Sequence, residues 1–352
     1  MRKSTRLLSV IVAGAMLLSM TACGNKTTDS GAAATTAAEA KAEETTAADA
    51  GKTEDTAAAD QAADGKVFKI GILQLVQHTA LDASNKGFVQ ALDDSGIAYT
   101  LDSQNASGDQ STCQTIASKL VNDGDDLILA IATPAAQAVA GATSEIPILI
   151  TAITDPAASD LVASNEAPGG NVSGTSDLTP VKEQIDLLQQ LLPEAETIGV
   201  LYCSAESNSE IQANMAREAI EAKGMKAVDY TVSNSNEIQT VVTSMVGKVD
   251  AIYAPTDNVV AAGMATVAMV ANDNKIPIIC GEEGMVNAGG LATYGIDYYE
   301  LGYLAGQQAV RILIEGEDIS KMAIEYLPLE KCKLSVNEET AEILGIDVSG
   351  IQ

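Results

Sequence analysis

Short apolar runs alternate with longer amphipathic stretches along the chain from residue 67 onward. The first run, residues 69–75, predicts a buried strand, and residues 81–95 predict a helix because Phe88, Val89 and Leu92 recur at helical spacing. The alternation continues with strands at 98–101, 126–132 and 146–150, and with helices at 110–122 and 134–142. This alternation indicates βαβ units and a parallel sheet, and near-continuous apolar strands are typical of a sheet covered on both faces.

The same pattern recurs in the second half of the chain. Three segments repeat earlier ones: 198–201 repeats 70–73, 250–256 repeats 126–133, and 276–279 repeats 146–149. The pairs occur in the same order and are offset by about 125 to 130 residues, which indicates an internal duplication. The sequence therefore predicts two similar α/β lobes.

The chain beyond residue 296 does not predict a third lobe. Its predicted elements are a helix over 297–315, short strands at 326–329 and 333–335, and a helix over 338–344. We interpret them as completing both lobes, with the chain crossing between the lobes near 174–179, 295–298 and 328–331. The predicted fold class is α/β, with two similar doubly wound parallel-sheet lobes joined by a multi-strand hinge. Lobe 1 is assigned residues 67–176 and 297–327, and lobe 2 is assigned residues 177–296 and 328–352.

Candidate ligand contacts follow the strands. Ligands of open α/β sheets bind beyond the carboxyl ends of the strands, and in a two-lobed protein those ends face each other across a cleft. The polar side chains at these positions are Gln77, His78, Thr133, Thr154, Asp155, Glu206, Asn208, Ser209, Thr256 and Asp257, with Tyr294 near a later strand end. His78 is the only histidine, so it is either a ligand contact or an ordinary loop residue.

Several of these residues lie where helices are predicted to begin. Thr133 precedes Pro134, so Thr133 is predicted as an N-cap, either as a cap alone or as part of a site for a ligand anion. Asp257 follows a buried strand, so it is either an N-cap or the counter-charge of a ligand ammonium. The polar loop 204–209 precedes a helix predicted from Glu210. The whole set suits an α-amino acid, with its carboxylate at helix N-termini and its ammonium at Asp257.

At these residues the chain resembles a known family. The segments that carry the resemblance are 152–156, 168–174, 206–209, 255–258 and 289–295. They are similar to those of solute-binding components of ABC importers of the tryptophan/tyrosine-binding type, over residues 68–346. The resemblance implies a type I periplasmic-binding-protein fold, two lobes that close on a small molecule, and delivery to a permease and an ATPase. Carried over by position, it implies pocket roles for Thr133, Asp155, Asn208, Ser209 and Asp257.

The resemblance does not identify the ligand, because members of the family differ. An aromatic amino acid favours aromatic walls, yet the chain has no Trp and two Phe. Tyr202, Tyr253 and Tyr294 lie at or near predicted strand ends and could provide such walls. The predicted ligand is therefore an amino acid, with an aromatic and a non-aromatic side chain as the two alternatives.

The N-terminus has the features of a lipoprotein signal. Arg2, Lys3 and Arg6 precede the apolar segment 7–20, which is too short to span a bilayer, and Ala22 precedes Cys23. The interpretation is a cleaved signal over 1–22 and a diacylated Cys23, with an uncleaved anchor or an ordinary signal as the alternative. Residues 23–66 are predicted to be a disordered acidic tether, because residues 25–66 lack Leu, Ile, Val, Phe and Tyr.

Charge and motif content narrow the function further. The net charge of −28 argues against nucleic-acid binding. No Cys/His spacing typical of a metal site is present, and Cys203 and Cys280 are interpreted as buried apolar residues. No nucleophile elbow, P-loop or dinucleotide motif supports an enzyme, and no cofactor is predicted.

Together with the family resemblance, these observations predict an extracytoplasmic, membrane-anchored solute-binding lipoprotein of an ABC importer. Its predicted partners are a small molecule, the permease and ATPase subunits, and the membrane through the lipid anchor. A ligand sensor that signals to a membrane receptor and a purely structural surface lipoprotein are the alternatives.

Overall fold

The first sheet contains six strands that are all paired in parallel. A computed structural model describes residues 65–351, so the predicted signal, Cys23 and most of the predicted tether lie outside the described residues. The strands of this sheet are β1 (Phe68–Gln74), β2 (Tyr99–Asn105), β3 (Leu127–Ile131), β4 (Ile148–Ile153), β5 (Val172–Ser176) and β11 (Glu325–Tyr326). Their order in the sheet is β11-β5-β4-β3-β1-β2.

The second sheet repeats this arrangement. Its strands are β6 (Thr197–Cys203), β7 (Lys226–Val232), β8 (Ala251–Ala254), β9 (Ile278–Cys280), β10 (Ala292–Gly295) and β12 (Lys333–Val336). Their order, β12-β10-β9-β8-β6-β7, matches that of the first sheet, except that β12 is antiparallel to β10. The predicted fold class, with two similar α/β lobes, is therefore confirmed.

Eleven α-helices in the described residues flank the two sheets. Those of the first sheet are α1 (Thr79–Ser95), α2 (Gln110–Asp123), α3 (Thr133–Ala142) and α10 (Tyr298–Val310). Those of the second sheet are α4 (Val181–Leu191), α5 (Ser207–Ala222), α6 (Ile238–Met245), α7 (Asn258–Ala262), α8 (Met264–Asp273), α9 (Glu283–Asn287) and α11 (Glu338–Leu344). Among residues 65–351, no helix combines the length and the apolar character needed to cross a membrane.

The register of the central strands aligns their carboxyl ends. Ile72 pairs with Leu129, which in turn pairs with Leu149, and all three side chains are buried. The strands are apolar on both faces because helices cover both faces of each sheet. The loops after the strands therefore gather at one edge of each sheet, where ligand sites of such folds form.

The chain passes between the two sheets three times. The passages join β5 to α4, β10 to α10, and β11 to β12. The last helix of the first lobe, α10, thus packs against α1 although it follows the second lobe in sequence. Three connecting segments allow the lobes to rotate as rigid bodies while the chain between them stays ordered.

Several predicted element boundaries were wrong. The helix predicted over 297–315 ends as α10 at Val310, and Arg311–Glu315 forms a π-helical turn. The strand predicted over 326–329 is restricted to Glu325–Tyr326, and Leu329–Lys331 is a 3-10 turn. Pro328, which lacks a backbone N–H, stands between these two short elements and disfavours a continuous strand there.

Strands that lack a continuous apolar run were predicted too short or were not predicted. β2 extends to Asn105, beyond the predicted end at residue 101. The prediction was too short because β2 is an edge strand whose exposed and half-buried positions give no continuous apolar run. β5 was not predicted as a strand, although each of its residues is buried. Gly174 lies in β5 with φ +147, and a Cβ there would be 2.1 Å from the Ile150 carbonyl oxygen of β4. Only glycine permits this close approach of the two strands.

Candidate functional site

A small cavity, here called the central cavity, lies where the carboxyl ends of the two sheets face each other. The first lobe and the connecting segments contribute His78, Ala80, Leu81, Ala152, Asp177 and Tyr298. The second lobe contributes Asn208, Thr256, Asp257, Asn258, Ala261 and Glu282. The cavity volume is ≈ 10 Å³, which is about the space that one water molecule needs.

Seven of the residues predicted from the sequence lie in or directly behind this cavity. His78, Asn208, Thr256 and Asp257 line it. Three others are bonded to lining residues or to their partners: Thr154, Glu206 and Ser209. α5 begins at Ser207 rather than at Glu210, so Asn208 and Ser209 lie in its first turn.

Three other predicted residues lie elsewhere. Gln77 is exposed and borders a groove beyond β1 and β2. The Asp155 carboxylate accepts hydrogen bonds from the backbone N–H groups of Ala157 and Ala158, both at 3.1 Å, and thus caps a turn. Tyr294 borders a surface cavity beside the connecting segments instead of the central cavity. Strand-end position placed all three in the candidate set, but none of them lines the central cavity.

Thr133 was predicted as an N-cap, and this prediction was wrong. Ala132 occupies the N-cap position with φ +80, and Thr133 is the first helical residue of α3. The Thr133 hydroxyl is buried and has no hydrogen-bond partner within residues 65–351. Thr133 is not among the residues that line the central cavity.

Two carboxylates that line the cavity are N-caps. Asp257 accepts hydrogen bonds from the backbone N–H of Val260, at 2.8 Å, through Oδ1 and from that of Cys203 through Oδ2. Glu282 likewise accepts from Met285, at 2.9 Å, and from Gly284. Each carboxylate therefore has both oxygens bonded to the start of a helix or to a strand end.

Sequence reasoning missed Glu282. Glu282 was not among the candidate ligand contacts, yet Glu282 is buried, whereas the adjacent Glu283 is exposed. A signal was present, because Glu282 follows β9 closely in the same way that Asp257 follows β8. Asp177 and Tyr298 were also missed, since both lie on connecting segments and not on a loop between a strand and the next helix of one lobe.

The residues in and directly behind the cavity include four carboxyl groups, and the pKa of each is raised. Burial, together with the nearby Asp257 charge, raises the pKa of Glu206 to about 8. Burial also raises the pKa of Glu282 to about 7 and that of Asp177 to about 6, and it raises the pKa of Asp257. Within the described part of the chain, the lining includes no Lys or Arg. The site therefore favours a group that donates hydrogen bonds or carries positive charge.

Hydrogen bonds between side chains of the two lobes bridge the cleft. His78 Nε2 lies 3.2 Å from Asn258 Oδ1, and Gln212 Nε2 donates to Thr154 Oγ1 at 2.8 Å. Asn258 Nδ2 donates to Glu206, which leaves Asn258 Oδ1 as the acceptor and places the His78 proton on Nε2. Burial lowers the pKa of His78, which keeps the ring neutral in this arrangement.

Comparison with known proteins identifies similar chains. The family model described as ABC transporter substrate binding protein matches residues 69–350. A tyrosine-binding protein of Clostridioides difficile (strain R20291) is 40% identical over 351 residues, which cover 98% of this chain and 94% of the relative. The sequence similarity thus extends over almost the whole chain.

Two solved structures superpose on this chain to different extents. The structure of an ABC domain in complex with L-Trp from Streptococcus pneumoniae is 38% identical, with a TM-score of 0.78, and covers 81% of this chain and 97% of its own. The ligand-free, open structure of a substrate binding protein with adhesive properties from Clostridium difficile is 46% identical but has a TM-score of 0.63, with the same coverages. The chain thus superposes better on the ligand-bound structure than on the open one, although the open one is more similar in sequence.

Proposed function

We propose, on the premise that this chain belongs to the family of ABC transporter substrate-binding proteins, that it captures an aromatic amino acid between its lobes and delivers it to an importer. The family consists of solute-binding proteins and not of enzymes. The observation that carries the proposal is the central cavity, which is enclosed by the carboxyl ends of both sheets and lined by polar groups from each lobe.

The residues around the cavity support an amino-acid ligand. His78, Asn208, Thr256 and Asp257 are proposed as direct contacts, and Thr154, Glu206 and Ser209 as residues that hold those contacts in place. The Tyr298 ring is an aromatic wall that the sequence did not identify. Because the cavity holds about one water molecule, the lobes must separate to admit an amino acid and then close around it.

A thermal-shift screen of the twenty amino acids, followed by isothermal titration, tests this proposal. L-tyrosine or L-tryptophan should raise the melting temperature, because a ligand at about 100 times its Kd stabilises the folded state by about 2.7 kcal/mol. Asn208→Ala should weaken the binding, since it removes a lining amide, whereas Gln77→Ala should bind like the wild type because Gln77 lies outside the cavity. The proposal fails if no amino acid shifts the melting temperature.

The membrane location is a second part of the proposal and rests on the sequence. We propose that Cys23 is diacylated after signal cleavage and that residues 23–66 tether the lobes to the extracytoplasmic face of the cell membrane, near the permease and ATPase. In cells fed labelled palmitate, the full chain should carry label and sediment with membranes. Cys23→Ser should lose both properties, whereas the control Cys332→Ser should retain them. Label that persists in Cys23→Ser would refute the assignment.

A further inference from the structure

The three carboxylates that line the central cavity are not equivalent. Asp257 and Glu282 each have both oxygens bonded to backbone N–H groups. Asp177 Oδ2 accepts a hydrogen bond from the Tyr298 hydroxyl at 2.8 Å, and the Thr154 hydroxyl lies near this carboxylate. Asp177 Oδ1 is buried and makes no hydrogen bond of good geometry within the described residues. Asp177 is 5% exposed, so bulk solvent has little access to this oxygen.

We propose that Asp177 is the residue that binds the ammonium group of the ligand. This inference rests on the proposed function and changes the assignment made from the sequence, which gave that role to Asp257. The Asp257 carboxylate already stabilises the start of α7 and the end of β6, so its oxygens have less capacity for a ligand. A carboxylate with a buried, unbonded oxygen is the stronger partner for a cationic donor.

Two further buried atoms of the lining match the same ligand group. His78 Nδ1 has no partner in the described residues, and it is an acceptor because the His78 proton is on Nε2. Asn208 Oδ1 also has no partner, and Asn208 Nδ2 donates to the Thr256 carbonyl at 3.3 Å. Together with Asp177 Oδ1 these atoms form three acceptors around one small cavity, and an ammonium group has three N–H donors.

The position of Asp177 also places this interaction at the hinge. Asp177 lies on the segment that joins β5 to α4, and Tyr298 begins α10 after the segment from β10. The hydrogen bond between them therefore ties two of the three connecting segments together. An ammonium bound there contacts the hinge, while the rest of the ligand lies between the lobes.

A thermodynamic cycle with matched ligands tests the inference. L-tyrosine is compared with 3-(4-hydroxyphenyl)propionate, which lacks only the amino group, and L-tryptophan with indole-3-propionate. The wild type should prefer each amino acid by about 100-fold in Kd. Asp177→Asn keeps the shape and an acceptor for the Tyr298 hydroxyl but removes the charge. It should abolish most of that preference by weakening the binding of the amino acids, whereas the propionates should bind at least as tightly as to the wild type.

Two more variants complete the test. Tyr298→Phe removes the donor that orients Asp177 and should reduce the preference by about 10-fold, which guards against a misfolded Asp177→Asn protein. A preference that persists in Asp177→Asn, or a larger loss in Asp257→Asn than in Asp177→Asn, would overturn the inference and leave the proposed function standing. A wild type that binds neither amino acid would refute both.

Discussion

Replacing Gly302 with alanine should destabilise the first lobe by about 3 kcal/mol or more. A Cβ at this position would lie 1.9 Å from the Ser84 carbonyl oxygen and 2.6 Å from its carbonyl carbon. These are backbone atoms of α1, so no rotamer change can relieve the overlap, and α1 and α10 would have to separate. Gly87 of α1 makes the reciprocal close approach, because its Cβ would lie 2.0 Å from the Tyr299 carbonyl oxygen.

Urea unfolding of the ligand-free protein measures this effect. Gly141→Ala is the matched control, because Gly141 lies in α3 and a Cβ there meets no atom within 4 Å. Alanine at that position should be neutral or stabilise the protein by up to about 1 kcal/mol, since it restricts the unfolded chain. Equal stability changes for the two substitutions would contradict the helix contact described above.

Replacing Glu206 with glutamine should stabilise the ligand-free protein most at pH 8.5 and considerably less at pH 5.5. Burial and the nearby Asp257 raise the pKa of Glu206 to about 8, so above that pH the folded protein contains a buried charge that the unfolded chain exposes to water. Glutamine keeps an oxygen that can accept the hydrogen bond from Asn258 Nδ2. Each unit of pKa shift corresponds to about 1.4 kcal/mol, which makes several kcal/mol the upper limit.

The sign of the pH dependence follows from proton linkage. A carboxyl whose pKa is raised on folding binds its proton more tightly in the folded state, so stability increases as pH falls from about 8 toward the unfolded value near 4.3. Glu282 and Asp177 act in the same direction with pKa values of about 7 and 6. His78 acts in the opposite direction, because burial lowers its pKa and protonation below pH 6.5 favours the unfolded chain.

Melting temperatures of wild type and Glu206→Gln at four pH values between 5.5 and 8.5 separate these contributions. The variant should melt about 5 °C or more above the wild type at pH 8.5, and the difference should shrink as pH falls. Glu210→Gln is the control, because Glu210 is exposed on the same helix, α5. A difference that is constant across the pH range would contradict the burial of a titrating Glu206.

Features with a strong local signal were predictable from the sequence. The central strands could be identified because each is a continuous apolar run, and the repeat of three such runs indicated the duplication from the sequence alone. β5 could not be identified, because its sequence Val-Ser-Gly-Thr-Ser has no apolar run and its burial depends on β4 and α10. Whether a polar strand is buried depends on the strands and helices that pack against it, which its own sequence does not reveal.

The candidate site was predictable only as a set of positions. His78, Asn208, Thr256 and Asp257 were selected because they follow strands, and the structure places them around one cavity. The same rule selected Gln77, Asp155 and Tyr294, which face elsewhere. Strand-end position determines the edge of the sheet at which a side chain lies, but backbone turns of one or two residues determine its direction.

The sequence by itself determined that the chain forms two similar α/β lobes, because apolar periodicity and its repetition are local properties of the chain. Only the tertiary structure decided which carboxylates keep a free oxygen. Asp177, Asp257 and Glu282 are all acidic residues that follow strands, yet backbone N–H groups bond both oxygens of Asp257 and of Glu282. Asp177 has one oxygen bonded to the Tyr298 hydroxyl and one without a hydrogen bond in the described residues. The physical reason is that hydrogen-bond satisfaction depends on partners distant in sequence, which only the packing of the lobes and connecting segments brings together.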